Sequence, residues 1–167
     1  SNNKEDLLKL RNTKYLQADA QGFYKKVKTL LEAGEKVLIC NLPCQIAALK
    51  SFLRKEYDNL ITIDLFCRGI NSPLVFRKFL DSLEAKYKSK VVYIKPKSKD
   101  LGWKKLTLKI VFENGQTYYG TNDIDFFTRA FLHSNCITRP SCYKCKFKGF
   151  PRVADISIGD FWRKGDV

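Results

Sequence analysis

Two short apolar runs, each ending close to a cysteine, constrain the fold of this chain more than any other feature. The first run covers residues 36–41 and the second covers residues 59–67. Their length and apolar character predict buried strands. Helical patterns flank and separate them, so that helix, strand, helix, strand and helix follow one another to about residue 88. This alternation predicts an α/β fold with a mostly parallel sheet flanked by helices.

Prolines, glycines and serines mark the ends of the predicted helices. Apolar residues recur at helical spacing over residues 20–33, and Gly34 provides a helix stop. Pro43 lies just before a helix predicted from residue 45 to about residue 55, where the missing N–H of proline does no harm. Ser72, followed by a proline, is a good N-cap for the third helix.

The pattern changes after the third helix. Three more strands are predicted, over residues 91–94, 106–113 and 116–119. Asn114-Gly115 is typical of a two-residue hairpin turn between the last two of them. A helix over residues 123–132 and a strand over residues 154–158 complete the pattern. We therefore expect an antiparallel hairpin insertion in the parallel fold.

Four of the six cysteines have positions that suit one shared site. Cys44 follows the first predicted strand, and Cys67 closes the second. The carboxyl ends of parallel strands lie at one rim of the sheet, where α/β proteins form their sites. Cys142 and Cys145 form a C-x2-C pair in a loop rich in lysine. We expect this loop to close over the rim, so that the four thiols meet.

Three interpretations of these thiols remain open from the residues alone. Four thiolates suit a [4Fe–4S] cluster or a structural zinc ion. The scattered positions of Cys44 and Cys67 favour a cluster, because thiolate zinc sites usually use two C-x2-C pairs. The third interpretation is that they are ordinary buried thiols. We expect that outcome for Cys40, inside a strand, and for Cys136.

The charge balance suggests an anionic partner. The chain has 31 Lys and Arg against 17 Asp and Glu, a net charge of +14. The lysines are spread along the chain, which disfavours nucleic acid. The alternative function is nevertheless a zinc-stabilised basic module that binds nucleic acid or an acidic protein. Five cations flank the C-x2-C pair and suit a negatively charged cluster: Arg139, Lys144, Lys146, Lys148 and Arg152.

The composition indicates a globular chain of one domain, residues 1–167. Hydrophobic residues make up 44% of the chain, which is typical of a protein with a core. No apolar run is long enough to span a bilayer. Without a secretory signal, we expect the reducing cytoplasm. Because the chain has no methionine, we expect it to be a piece of a longer protein.

Several motifs together resemble a known family. They are Pro-Cys-Gln at residues 43–45, Leu-Phe-Cys at 65–67, and Cys-x2-Cys followed by Ala-Asp-Ile-Ser-Ile-Gly-Asp at 154–160. With the stretches around them, at residues 4–19, 43–50, 59–73 and 139–162, they resemble the C-terminal portion of the coenzyme F420 hydrogenase/dehydrogenase beta-subunit family.

The resemblance implies an iron–sulfur flavoprotein oxidoreductase. It implies that Cys44, Cys67, Cys142 and Cys145 bind a [4Fe–4S] cluster. It also implies that the full-length protein binds FAD and exchanges electrons with a deazaflavin or with a ferredoxin-like module or protein. The chain would then be the C-terminal redox portion of that protein. We expect it to need the missing N-terminal part of the same chain and to be inactive alone.

Overall fold

The computed structural model describes residues 3–6, 15–105, 107–121 and 124–160. The chain divides into two compact units, each with its own sheet. Ala18–Gly69 and Pro140–Val167 belong to one, which we call the parallel-sheet unit. Ser1–Gln17 and Ile70–Arg139 belong to the other, the antiparallel-sheet unit. The predicted fold class, with parallel strands, flanking helices and an antiparallel insertion, is confirmed.

Eleven helices and strands are described. In chain order they are α1 (Phe23–Glu32), β1 (Val37–Asn41), α2 (Pro43–Leu53), β2 (Leu60–Leu65), α3 (Pro73–Tyr87), β3 (Val91–Ser98), β4 (Thr107–Phe112), β5 (Thr117–Thr121), α4 (Phe126–Leu132), α5 (Pro140–Tyr143) and β6 (Ile156–Ile158).

The sheet of the parallel-sheet unit has the order β1-β2-β6, and both pairs are parallel. Asn41 at the end of β1 lies opposite Asp64 near the end of β2. Leu65 at the end of β2 lies opposite Ile158 at the end of β6. All three strands therefore end at the same rim.

Helices α1 and α2 cover one face of this sheet. Helix α2 begins at Pro43, two residues earlier than predicted, and ends at Leu53. The core between the helices and the sheet consists of Val27, Leu31, Ile39, Ile46, Leu49 and Leu53. Burial of these side chains holds the rim in a fixed position.

The opposite face of the sheet is apolar and exposed. Leu38, Ile61, Ile156 and Ile158 are 48–60% exposed. Cys40 lies on this face, because successive side chains of a strand alternate and Ile39 points into the core. The prediction that Cys40 is buried is therefore wrong: its thiol is free and exposed.

The antiparallel-sheet unit has a sheet of order β3-β4-β5 that is separate from the parallel one. Asp125 caps α4 by accepting a hydrogen bond from the Thr128 amide at 2.7 Å, and Ser72 caps α3 in the predicted way. The core of this unit consists of Leu80, Leu83, Leu108, Ile110, Phe112 and Phe127. The predicted starts of a strand at Leu106 and of a helix at Asp123 lie outside the described residues.

The hairpin between β4 and β5 forms where predicted but has a different turn. A two-residue type I′ turn needs positive φ at both central residues, whereas here Gly115 has φ 81° and Asn114 is not in the left-handed region. The amide of Gly115 donates to the carbonyl of Phe112 at 3.0 Å, and the amide of Phe112 donates to the carbonyl of Gln116 at 2.9 Å. The loop therefore has three residues, with glycine in the left-handed position.

Candidate functional site

Cys44 lies in the first turn of helix α2. Leu42 is the N-cap in an extended conformation, and Pro43 occupies the first helical position. The side chain of Asn41 accepts a hydrogen bond from the Leu42 amide at 2.9 Å and fixes the turn out of β1. The thiol of Cys44 therefore lies in the first turn of the helix, beside the backbone amides of Cys44 and Gln45.

Cys67 leaves the same rim from the neighbouring strand. Asn41 and Asp64 are opposite each other in the parallel register. Cys44 follows Asn41 by three residues, and Cys67 follows Asp64 by three residues. The equal offsets bring both cysteines to the rim, as the strand pattern predicted. Gly69, with φ 144°, then turns the chain away.

Cys142 and Cys145 lie in residues 140–152, which we call the cysteine loop. Cys142 belongs to the short helix α5, and Cys145 follows just after that helix ends. Both thiols are free and partly buried. The loop leads into β6, the strand that pairs with β2. Its two ends are therefore part of the same unit that carries Cys44 and Cys67.

A buried ion pair attaches the end of the cysteine loop to the sheet. Arg152 Nη2 donates to Asp64 Oδ1 at 2.8 Å and to the Leu65 carbonyl at 3.2 Å. Arg152 Nε donates to Ser157 Oγ at 3.1 Å. The side chains of Arg152 and Asp64 are only 8% and 0% exposed. A guanidinium held by this many acceptors is fixed in position.

The same guanidinium also holds the loop backbone. Arg152 Nη1 donates to the carbonyls of Lys148 at 3.1 Å and Phe147 at 3.4 Å. Lys148 makes a second attachment, because its Nζ donates to the Arg68 carbonyl at 2.6 Å. Arg68 directly follows Cys67. Two cations thus tie the cysteine loop to the segment that leaves β2.

The thiol of Cys44 interacts with both cysteines of the loop. Burial raises its pKa above the usual value, and the neighbouring thiols of Cys145 and Cys142 raise the pKa further. The backbone amides of Cys44 and Gln45 act in the opposite direction, as expected at a helix N-terminus. The net effect raises the pKa of this thiol.

The thiol of Cys67 belongs to the same group. Burial raises its pKa, the Gly69 amide lowers it, and the thiols of Cys44 and Cys142 raise it. The ammonium of Lys148 lowers the pKa of Cys67. Because the net shift is upwards, a metal ion that binds here must displace protons. Taken together, these interactions link all four predicted thiols.

The four thiols are not gathered around a single point. Among the described residues, no three Cys, His, Asp or Glu side chains are close enough to hold one metal ion. The assignment of Cys44, Cys67, Cys142 and Cys145 as ligands therefore stays a prediction.

The other two cysteines are both exposed. Cys40 is exposed on the apolar sheet face. Cys136 belongs to the antiparallel-sheet unit, where its Sγ lies 3.2 Å from Ser134 Oγ and 3.6 Å from the Ala130 carbonyl. Cys136 is also exposed, so the prediction that it is buried is wrong.

The sequence interpretation missed the role of the Asp64–Arg152 pair. We grouped Arg152 with the cations that face a cluster, but its guanidinium is paired with a buried carboxylate. A signal was available, since Asp64 is a charged residue inside an apolar strand run. A buried charge needs a partner, and Arg152 provides it.

One family matches most of this chain. The family model that describes the C terminus of the coenzyme F420 hydrogenase/dehydrogenase beta subunit matches residues 34–166. The chain therefore belongs to that family, and the resemblance drawn from the motifs is confirmed. Membership associates the chain with an oxidoreductase built of several subunits.

The comparison with curated proteins found no match. Within the described ranges, no helix combines the length and apolarity needed to cross a bilayer.

Proposed function

We propose that this member of the coenzyme F420 hydrogenase/dehydrogenase beta-subunit family is the cluster-binding portion of an oxidoreductase. Cys44, Cys67, Cys142 and Cys145 bind a [4Fe–4S] cluster at the rim of the parallel sheet. The observation that carries this proposal is the mutual interaction of four free thiols from three separate chain segments. Ordinary buried thiols have no reason to collect in this way.

The donor set fits an iron–sulfur cluster better than a zinc ion. A zinc ion binds four thiolates at about 2.3 Å, which brings the sulfurs to within about 4 Å of one another. In a [4Fe–4S] cluster, each thiolate binds a different iron, so the four sulfurs stand further apart. Ligands that lie singly at two strand ends, as Cys44 and Cys67 do, suit the second arrangement better than the two C-x2-C pairs of a usual thiolate zinc site.

Residues around the thiols support this role. The amides of Cys44, Gln45 and Gly69 point dipoles at the thiols and favour their charged form. The Arg152–Asp64 pair fixes the cysteine loop relative to β2. The thiols must lose their protons on binding, which makes cluster assembly more favourable as the pH rises.

The bound cluster would supply one-electron transfer, and a flavin in the full-length protein would couple this to two-electron chemistry. We infer that FAD binds with the help of another part of the enzyme. The electron partner is a deazaflavin such as coenzyme F420, which the family name includes, or a ferredoxin-type protein. The isolated portion is inactive without them. Its free thiols suit a reducing compartment such as the cytoplasm.

The second candidate function is a zinc-stabilised basic binding module. It is favoured by the net charge of +14 together with the C-x2-C pair. In that case the partner is an acidic protein or nucleic acid, and binding weakens steeply as salt is added.

Metal analysis after anaerobic reconstitution with iron and sulfide separates the two functions. The proposal expects broad absorbance near about 400 nm and about four irons per chain. Cys142→Ser should lose both. Stoichiometric zinc without a chromophore in the freshly purified protein would support the second function. A folded chain that takes up no iron contradicts the proposal.

A further inference from the structure

We propose that Lys148 is the cation that sets the redox potential of the four-cysteine site, whereas Arg152 only positions the loop that carries it. This inference rests on the proposed cluster. The sequence shows five cations around the C-x2-C pair and does not distinguish between them. The inference gives two of the five, Lys148 and Arg152, different roles.

The structure separates these five cations. Arg139 belongs to the antiparallel-sheet unit, where its Nη1 donates to Gln17 Oε1 at 2.6 Å. No ion pair between described residues involves Lys144 or Lys146, and both side chains are exposed. Among the described residues, neither the Lys144 nor the Lys146 side chain has a hydrogen bond or ion pair to the segment that carries Cys67.

The charge of Arg152 is already balanced. Asp64 Oδ1 lies 2.8 Å from its Nη2, and both side chains are buried. The pair is neutral as a whole, so its field at the thiols is small. Its other hydrogen bonds to described residues go to oxygen atoms, namely the carbonyls of Leu65, Phe147 and Lys148 and Ser157 Oγ. Arg152 therefore contributes geometry, not net charge.

Lys148 has the opposite character. Its Nζ lies 2.6 Å from the carbonyl of Arg68, the residue next to Cys67. The ion pairs between described residues do not include Lys148. Its ammonium also acts on the thiol of Cys67. An uncompensated positive charge is thus held in place beside one of the four ligands.

The physical consequence concerns the reduced form. One-electron reduction adds one negative charge to the site and breaks no bond. A fixed cation stabilises the more negative form and therefore raises the potential. Removal of that cation favours the oxidised form and lowers the potential.

The test uses three variants of the whole chain, reconstituted with iron and sulfide. Lys148→Gln removes the charge but keeps an N–H donor for the Arg68 carbonyl. Lys148→Arg keeps the charge. Lys146→Gln is the matched control, because it removes the same charge from the same loop at a side chain without an ion pair among the described residues. The potential is measured by a mediated redox titration followed at the cluster absorbance.

We expect Lys148→Gln to shift the one-electron reduction equilibrium about tenfold towards the oxidised form, which corresponds to about 59 mV. The potentials of Lys148→Arg and Lys146→Gln should stay close to that of the wild-type chain. The shift in Lys148→Gln should also shrink as salt is added, because an exposed charge is screened.

Equal potentials in Lys148→Gln and Lys146→Gln would overturn the inference. So would loss of the cluster in Lys148→Gln while Lys148→Arg retains it at an altered potential, since Lys148 would then be a structural residue. Failure of the wild-type chain to bind iron would instead contradict the proposed function. The two failures are therefore distinguishable.

Discussion

At the scale of single residues, Asp64 determines how the cysteine loop is attached. A carboxylate inside a buried strand is unfavourable unless a cation reaches it. Arg152 reaches it from the end of the loop, 88 positions later in the chain. The sequence pattern identifies the buried charge but not its partner, because that distance along the chain is bridged only by the fold.

We expect Arg152→Met to lower the free energy of unfolding by about 3–5 kcal/mol, because it leaves Asp64 buried and charged without its partner. Urea denaturation of the unloaded chain measures this change. Lys50→Met is the control. It removes an exposed ion pair with Asp155 at 3.7 Å, and such pairs contribute less than about 1 kcal/mol. Equal effects of the two substitutions would mean that the buried pair is not an anchor.

At the scale of secondary structure elements, side chains extend the short strand β6. Its ladder with β2 begins at Ile156 opposite Ile63. One residue earlier, Asp155 Oδ2 accepts hydrogen bonds from the Thr62 hydroxyl at 2.6 Å and from the Thr62 amide at 2.7 Å. The Asp155 amide in turn donates to the Thr62 carbonyl at 3.1 Å. The carboxylate thus helps to hold a strand of only three residues.

This contact makes the stability of the unit depend on pH. The hydrogen bonds from Thr62, and then the charge of Lys50, lower the pKa of Asp155 below its usual 3.8. The pKa of Asp155 is therefore lower in the folded chain than in the unfolded chain, and the Asp155 carboxylate stabilises the fold fully above about pH 3.8. That stabilisation is lost as the pH falls through the lowered pKa of the folded chain. The difference in unfolding free energy between the wild-type chain and Asp155→Asn should therefore shrink in acid. A difference that is constant across this range would contradict the assignment.

The elements also show what can be predicted from the sequence. The two strands that end near Cys44 and Cys67 were predictable, because apolar runs and helix signals are local. The separation of β3, β4 and β5 into their own sheet was not, since strand pairing depends on contacts distant in sequence. The exposure of Cys40 was missed for a similar reason: an all-apolar strand does not reveal which of its faces a helix covers.

At the scale of the whole molecule, the antiparallel-sheet unit interrupts the parallel-sheet unit. The chain leaves the latter after Gly69 and returns at Pro140. The points of departure and return are joined, because the Arg139 amide donates to the Ile70 carbonyl at 2.9 Å. If the inserted unit unfolded alone, a loop of about 70 residues would connect the two halves, at an entropic cost of about 4 kcal/mol.

We therefore expect the two units to unfold together, as the prediction of one domain requires. Ile110 is 0% exposed in the core of the antiparallel-sheet unit, and Ile110→Ala should cost about 2–5 kcal/mol. Hydrogen exchange should then show weaker protection for the amides of α2 in the other unit as well. Wild-type protection of α2 in this variant would mean that the units are independent.

The candidate site was predictable in part. The positions of Cys44 and Cys67 follow from two local strand patterns and one rule of parallel sheets. No such rule brings Cys142 and Cys145 close to Cys44 and Cys67. Their position depends on how Arg152 and Lys148 hold the cysteine loop. Those hydrogen bonds join the loop to the β2 exit, and no local pattern encodes them.

Iron content per chain in six single Cys→Ser variants tests the central claim most directly. After anaerobic reconstitution, the wild-type chain, Cys40→Ser and Cys136→Ser should each contain about four irons. Cys44→Ser, Cys67→Ser, Cys142→Ser and Cys145→Ser should contain far less. Full iron content in any of these four variants, or its loss in Cys40→Ser or Cys136→Ser, would contradict the assignment of the four thiols at the sheet rim to one cluster.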